Sequence, residues 1–175
     1  MAQRLIVAAA QLMTRPSIAE NVLRIIVAIE KASKQGAKLV VFPECAVTGY
    51  TVSAMKNFRE EDMDEAWGPI MEACEKHKIA AVVGTPLLAR NKRFNSAIVI
   101  DETGQIVGWQ VTHHLHQLSG DEHVDVQNKM QLVPPDEVAG CSFGEQIFLC
   151  KIAGVKACTP RFLLHPHYTP YSNVP

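Results

Sequence analysis

The stretch Leu39 to Tyr50, LVVFPECAVTGY, constrains this chain more than any other. A β-branched apolar run, Val40-Val41-Phe42, stops at Pro43, and Glu44 follows at once. Such a run reads as a buried strand, and a strand that ends in an acid delivers that acid to the sheet edge, where loops build sites. Upstream, Ser17 and Glu20 stand at capping-box spacing after Pro16. Ile18, Val22, Ile25, Ile26 and Ile29 then repeat as one helix face, and Gly36 closes the helix. Arg4 to Leu12 reads as a strand before that helix and Ala37 to Phe42 as a strand after it. A chain with this order must bury its helix stripe against its strands.

The same alternation continues. A second helix is predicted from about Asp62 to His77, with Met63, Trp67, Ile70, Met71 and Cys74 on its apolar face. Acids crowd its start and Lys76, His77 and Lys78 its end, as the helix dipole favours. Ile79 to Gly84 reads as a strand. Asn95 to Ile100 and Gln105 to Val111 flank a hairpin turn at Asp101-Glu102-Thr103-Gly104. Gln146 to Leu149 and Gly154 to Cys158 are two further strands. The class is α/β with mixed strand pairing. Thr159 to Pro175 carries Pro160, Pro166, Pro170 and Pro175 without helical or strand period, and reads as an extended tail.

Composition excludes several functions. With 175 residues, 47% hydrophobic and 20% charged, the chain can bury a substantial core. A net charge of -1 favours neither nucleic acid nor an anionic membrane surface. Leu5 to Ala10 is too short for a signal peptide and is interrupted by Gln11. No apolar run approaches the ~18–20 residues of a membrane span. Cys45, Cys74, Cys141, Cys150 and Cys158 form an odd set without metal-type spacing. They suit reduced thiols in a cytoplasmic protein, mostly packed as small hydrophobes. His113, His114 and His116 could form a metal site with Asp121, Glu122, His123 or Asp125, but their spacing fits no standard motif.

Residues 39–50 closely resemble the first signature of the nitrilase, or carbon–nitrogen hydrolase, superfamily. The resemblance extends to the opening strand ending at Gln11, to Arg93-Phe94-Asn95-Ser96-Ala97, to His114-Leu115 and to Gly154-Val155-Lys156-Ala157-Cys158. It implies a nitrilase-like α-β-β-α sandwich, here incomplete: a partial domain over residues 1–158 and a Pro-rich tail over 159–175. It also implies a Glu-Lys-Cys triad with no cofactor and no metal. Glu44 takes the place of the general base and Cys158 that of the nucleophile. The lysine belongs two residues before His-Leu, where this chain has Thr112, and no lysine lies between Lys92 and Lys129. Glu122 is the nearest candidate for the family's second glutamate, against its reading as a solvated loop residue. After Cys158, Pro160 stands where the family has an aspartate.

The chemistry explains why each group matters. A free thiol has a pKa of ~8.5, so attack on an amide or nitrile carbon needs a base to deprotonate it. A fixed cation and a backbone N–H then hold the oxyanion. Here the N–H would be that of Thr159, and a protonated histidine among residues 113–116 would stand in for the lysine.

Two readings of function follow. One is a hydrolase of small amides, nitriles or carbamoyl compounds acting through a cysteine acyl-enzyme, impaired by Thr112. The other is a non-catalytic member that serves as a binding or oligomerisation module. An incomplete sandwich with an uncovered sheet face and edge is expected to self-associate. No nucleic-acid or membrane partner is expected.

Overall fold

The structure, a computed structural model, describes residues 5–89, 92–108, 127–128, 149–152 and 155–158. Strand β1 (Val7–Ala9) leads into helix α1 (Ile18–Lys34), and β2 (Leu39–Val41) follows. Ser17 caps α1, its Oγ accepting from the Glu20 N–H at 3.3 Å. Val22, Ile25, Ile29 and Ala32 are the buried face, as the apolar stripe predicts. Ile26 is only partly buried. At the far end Gly36 adopts φ +82°, a left-handed conformation that reverses the chain toward β2 and that other residues adopt only with strain.

A short helix, α2 (Val52–Asn57), precedes α3 (Glu60–His77). The sequence gives α2 no apolar stripe, so periodicity misses it; Thr51 caps it, its Oγ1 accepting from the Ala54 N–H at 3.0 Å. α3 starts two residues before the predicted Asp62. Asp62 accepts from the Arg59 backbone N–H at 3.0 Å, which moves the cap back to Arg59. Helices α1 and α3 pack on each other, and Ser33 Oγ donates to the His77 carbonyl at 2.8 Å where both end.

The sheet runs β1-β2-β3-β4-β5, with β3 (Ala80–Ala89), β4 (Lys92–Ile100) and β5 (Ile106–Gly108); β6 (Gln127–Asn128) pairs with β4. β1, β2 and β3 are mutually parallel, and β3-β4-β5 antiparallel, so the predicted mixed sheet is present. β3 continues five residues past its predicted end. Gly84 and Pro86 read as a break, yet β2 stops pairing at Val82, so beyond it β3 needs to satisfy only β4 on its other side. A strand with one partner tolerates proline. The predicted turn at Asp101–Gly104 forms. Asp101 Oδ1 accepts from the N–H groups of Thr103 and Gln105 at 2.8 and 3.0 Å, and Gly104 takes φ +80°.

β7 (Leu149–Ile152) and β8 (Val155–Cys158) form a separate antiparallel hairpin. Of the predicted strand Gln146–Leu149 only Leu149 lies within the described residues, and it opens β7. The register Leu149↔Cys158 and Ile152↔Val155 leaves two residues, Ala153 and Gly154, between the strands, and loop length sets the register of a hairpin.

Successive residues of β2 face opposite sides of the sheet. Val40 joins the core under α1 and α3, whereas Leu39 joins Ala80, Val82, Ala97 and Val99 on the other face. All five of the latter are buried. The expectation of an uncovered sheet face therefore fails at the middle of the sheet. Among the described residues β1 and β5 each end the sheet with a single partner. No helix among them is long and apolar enough to cross a membrane.

Candidate active site

β2 delivers the chain to Glu44. At its end the Phe42 N–H donates to the Val82 carbonyl at 2.8 Å, and the Phe42 ring is buried. Pro43 then ends the ladder, because it has no N–H to continue it. Residues 44–48 form a turn, closed by the Gly49 N–H donating to the Cys45 carbonyl at 2.7 Å. Cys45 sits in this turn at φ +49°, a left-handed conformation uncommon for a residue with a side chain. Cys45, Ala46 and Val47 are fully buried, while Glu44 is half-buried. The turn thus sinks its apolar residues and leaves its carboxylate at the rim.

Three long-range constraints hold this turn. Asn21, a fully buried polar residue on α1, donates from Nδ2 to the carbonyls of Val47 and Arg15, both at 2.9 Å. Its Oδ1 accepts from the Arg15 N–H at 2.7 Å. One side chain thus ties α1, the β1–α1 connection and the Glu44 turn together. On the opposite side Gly84 of β3 abuts the turn. A Cβ there would lie 2.2 Å from the Pro43 carbonyl oxygen and 2.8 Å from Glu44 Cα. From β4, the buried Asn95 side chain reaches Cys45, with Sγ 3.7 Å from Oδ1. Cys45 is thus a packing thiol, as its position after Glu44 suggests, and neither it nor Cys74 is in a disulfide. Asn21 and Gly84 were missed from sequence. Asn21 had a signal, since it falls on the same helix face as Ile18 and Ile25. Gly84 had none, because the contact it permits spans forty residues.

Cys158 ends β8, opposite Leu149 in the β7–β8 hairpin. The structure therefore places the two principal candidates, Glu44 and Cys158, at strand ends on separate sheets. Thr112, Glu122, Thr159, Pro160 and the histidines of residues 113–116 lie outside the described residues. Among the described residues no group of three or more His, Cys, Asp or Glu could hold a metal ion.

The mixed sheet with its flanking helices is shared with amidases of the nitrilase superfamily. The NitN amidase of Nesterenkonia sp. AN1 superposes with a TM-score of 0.72 and 25% identity, over 89% of this chain and 56% of that one. Residues 6–163 match the carbon-nitrogen hydrolase family, and the chain belongs to it. Nitrilase homolog 2 of Dictyostelium discoideum is 29% identical over 151 residues, covering 85% of this chain and 44% of the relative. The 2-oxoglutaramate amidase of Bacillus subtilis is 32% identical over 106 residues, covering 60% and 40%. The chain thus spans about half the length of the relatives it matches. Structures of the Nesterenkonia amidase include one with acrylamide added at its active site cysteine and one in complex with butyramide.

Proposed function

We propose that this chain contributes Glu44 and Cys158 to a site that hydrolyses small amides through a cysteine acyl-enzyme. The observation that carries the proposal is the Glu44 turn: a half-buried carboxylate held from three sides in a chain whose family match runs through Cys158. Glu44 takes the Cys158 thiol proton as sulfur attacks the amide carbon, then passes it to the departing amine. The C–N bond breaks as the thioester remains. Water, deprotonated by Glu44, attacks the thioester carbon; the C–S bond breaks, the carboxylic acid leaves, and Glu44 returns the proton to the Cys158 sulfur. The Thr159 N–H and a protonated histidine among residues 113–116 hold the oxyanion. Glu122 is the nearest candidate for the family's second glutamate. Small aliphatic amides are the first substrates to test, given the butyramide complex of the related amidase. A reducing compartment such as the cytosol suits a reactive thiol.

Thr112 and Pro160 favour a second reading, a member of the family that binds rather than turns over. Thr112 brings no charge to the oxyanion, and loss of one oxyanion donor costs about 10²–10³ in turnover. The discriminating experiment measures ammonia release from butyramide and a panel of amides and nitriles, on protein that melts cooperatively. On the catalytic reading turnover is slow, is abolished by Cys158→Ala and Glu44→Gln, and rises about 100-fold or more in Thr112→Lys. No turnover from folded protein, unchanged by Thr112→Lys, sinks the catalytic reading in favour of the binding one.

A further inference from the structure

Among the described residues only Cys45 and Lys78 carry a side chain at positive φ. Lys78 is the exposed C-cap of α3, where a left-handed residue commonly ends a helix. Cys45 ends no helix. It follows Glu44 directly, at φ +49° and fully buried. A left-handed residue with a Cβ costs free energy and persists only where its surroundings fix it. Glycine would hold this φ without that cost, so the presence of a side chain here calls for a reason.

Contacts on each side of Cys45 supply it. The Glu44 Cα before it presses on Gly84, where an added Cβ would lie 2.8 Å away. The Cys45 carbonyl accepts from the Gly49 N–H at 2.7 Å. Its Sγ donates to Asn95 Oδ1 at 3.7 Å, and Asn95 is 3% exposed. Ala97 stands opposite Gly84 and Asn95 opposite Pro86, so Asn95 and Gly84 share one face of the β3–β4 pair. It is the face lined by Leu39, Val82 and Val99, away from α1 and α3. The Glu44 turn therefore rests on two neighbouring points of one rigid strand pair. Gly84 sets how close its backbone comes, and Asn95 sets which way Cys45 turns. The peptide joining Glu44 to Cys45 follows, and with it the direction in which the carboxylate leaves the turn. We infer that Asn95, acting through Cys45, is a positioning residue for the Glu44 carboxylate. This rests on the reading of Glu44 as the base for Cys158. A thiol is a weak donor, so the link supplies direction more than energy. The strained turn then aims the carboxylate before substrate arrives.

The test reads Cys158 directly and needs no turnover. Alkylation of Cys158 by iodoacetamide in the full chain is followed across pH by peptide mass spectrometry, on proteins that melt cooperatively. An ionised carboxylate beside a thiol opposes its ionisation. Glu44→Gln is therefore expected to lower the pH of half-maximal alkylation by about one unit. Cys45→Ala and Asn95→Ala should each lower it by about half a unit, because the carboxylate is no longer held toward the thiol. The double variant should go no further than either single one, since both changes break one link. Cys45→Ser keeps a donor for Asn95 and should alkylate like the parent. Cys45→Gly should melt no lower than Cys45→Ala, because glycine takes this φ without strain, yet move the midpoint as far. A midpoint that Glu44→Gln moves and that Cys45→Ala and Asn95→Ala leave in place overturns the inference while the Glu44–Cys158 site stands. Shifts that add in the double variant overturn it equally. A midpoint that Glu44→Gln does not move sinks the pairing of Glu44 with Cys158, and the inference with it.

Discussion

Asn21 shows how one polar side chain can govern a site from a distance. It is fully buried, and all its hydrogen bonds go to backbone groups of Arg15 and Val47. Removing it strands the buried Val47 carbonyl, which costs about 1–3 kcal/mol, whereas the Arg15 groups belong to an exposed residue and can turn to water. Asn21→Ala is therefore expected to destabilise the fold by about 1–3 kcal/mol in urea unfolding. Asn21→Asp keeps the acceptor and loses both donations, so it should be no milder. A loss under about 0.5 kcal/mol for Asn21→Ala, the level of an ordinary surface change, would show that the Val47 carbonyl finds another partner. A helical asparagine usually reads as a surface residue. Only its place on the Ile18–Ile25 face marks it from sequence, and that place does not reveal the carbonyls it serves.

At the scale of elements, the approach of β3 to the end of β2 decides where Glu44 sits. All the close atoms around Gly84 are backbone, so no flexible side chain can yield to a methyl group. Gly84→Ala is expected to cost about 2–3 kcal/mol and to lower the melting temperature. Gly68 of α3 is the counterpart: it is exposed and nothing lies within 4 Å of an added Cβ. Gly68→Ala should change stability by less than about 1 kcal/mol, because the gain in helix propensity is offset by crowding of the new Cβ against the ring of Pro69. Equal effects at the two positions would show that the Pro43 turn simply moves aside. α1, α3, β2 and the Asp101–Gly104 turn are legible from sequence because each announces itself locally, by a stripe, a cap or a turn residue. α2 and the extension of β3 are not: α2 has no apolar stripe, and Gly84 and Pro86 read as a break although β3 there has only β4 to pair with.

For the whole molecule, the core under α1 and α3 encloses Cys74 and sets a pH limit on stability. Burial, chiefly, and then the Asp101 charge push its thiol from an ordinary 9.0 up to about 12. The unfolded thiol ionises near 9.0 while the folded one stays protonated. Its contribution is complete below pH 9 and is lost as pH rises toward 12, at about 1.4 kcal/mol per pH unit. Urea unfolding at pH 8 and pH 10.5 should show this loss, and Cys74→Ala should reduce the slope between them. An identical slope in the variant would assign the alkaline loss to other groups. Local pattern is enough to mark the α/β class, the strand-helix-strand order and the placement of Glu44 just after a buried strand. These follow from side-chain periodicity and capping, which act over a few residues. Packing between distant segments sets the rest: Asn21, Gly84 and Asn95 converge on the Glu44 turn, and the middle of the sheet is buried on both faces. Close approach and hydrogen bonding between segments dozens of residues apart depend on how the layers pack, and no local pattern encodes that.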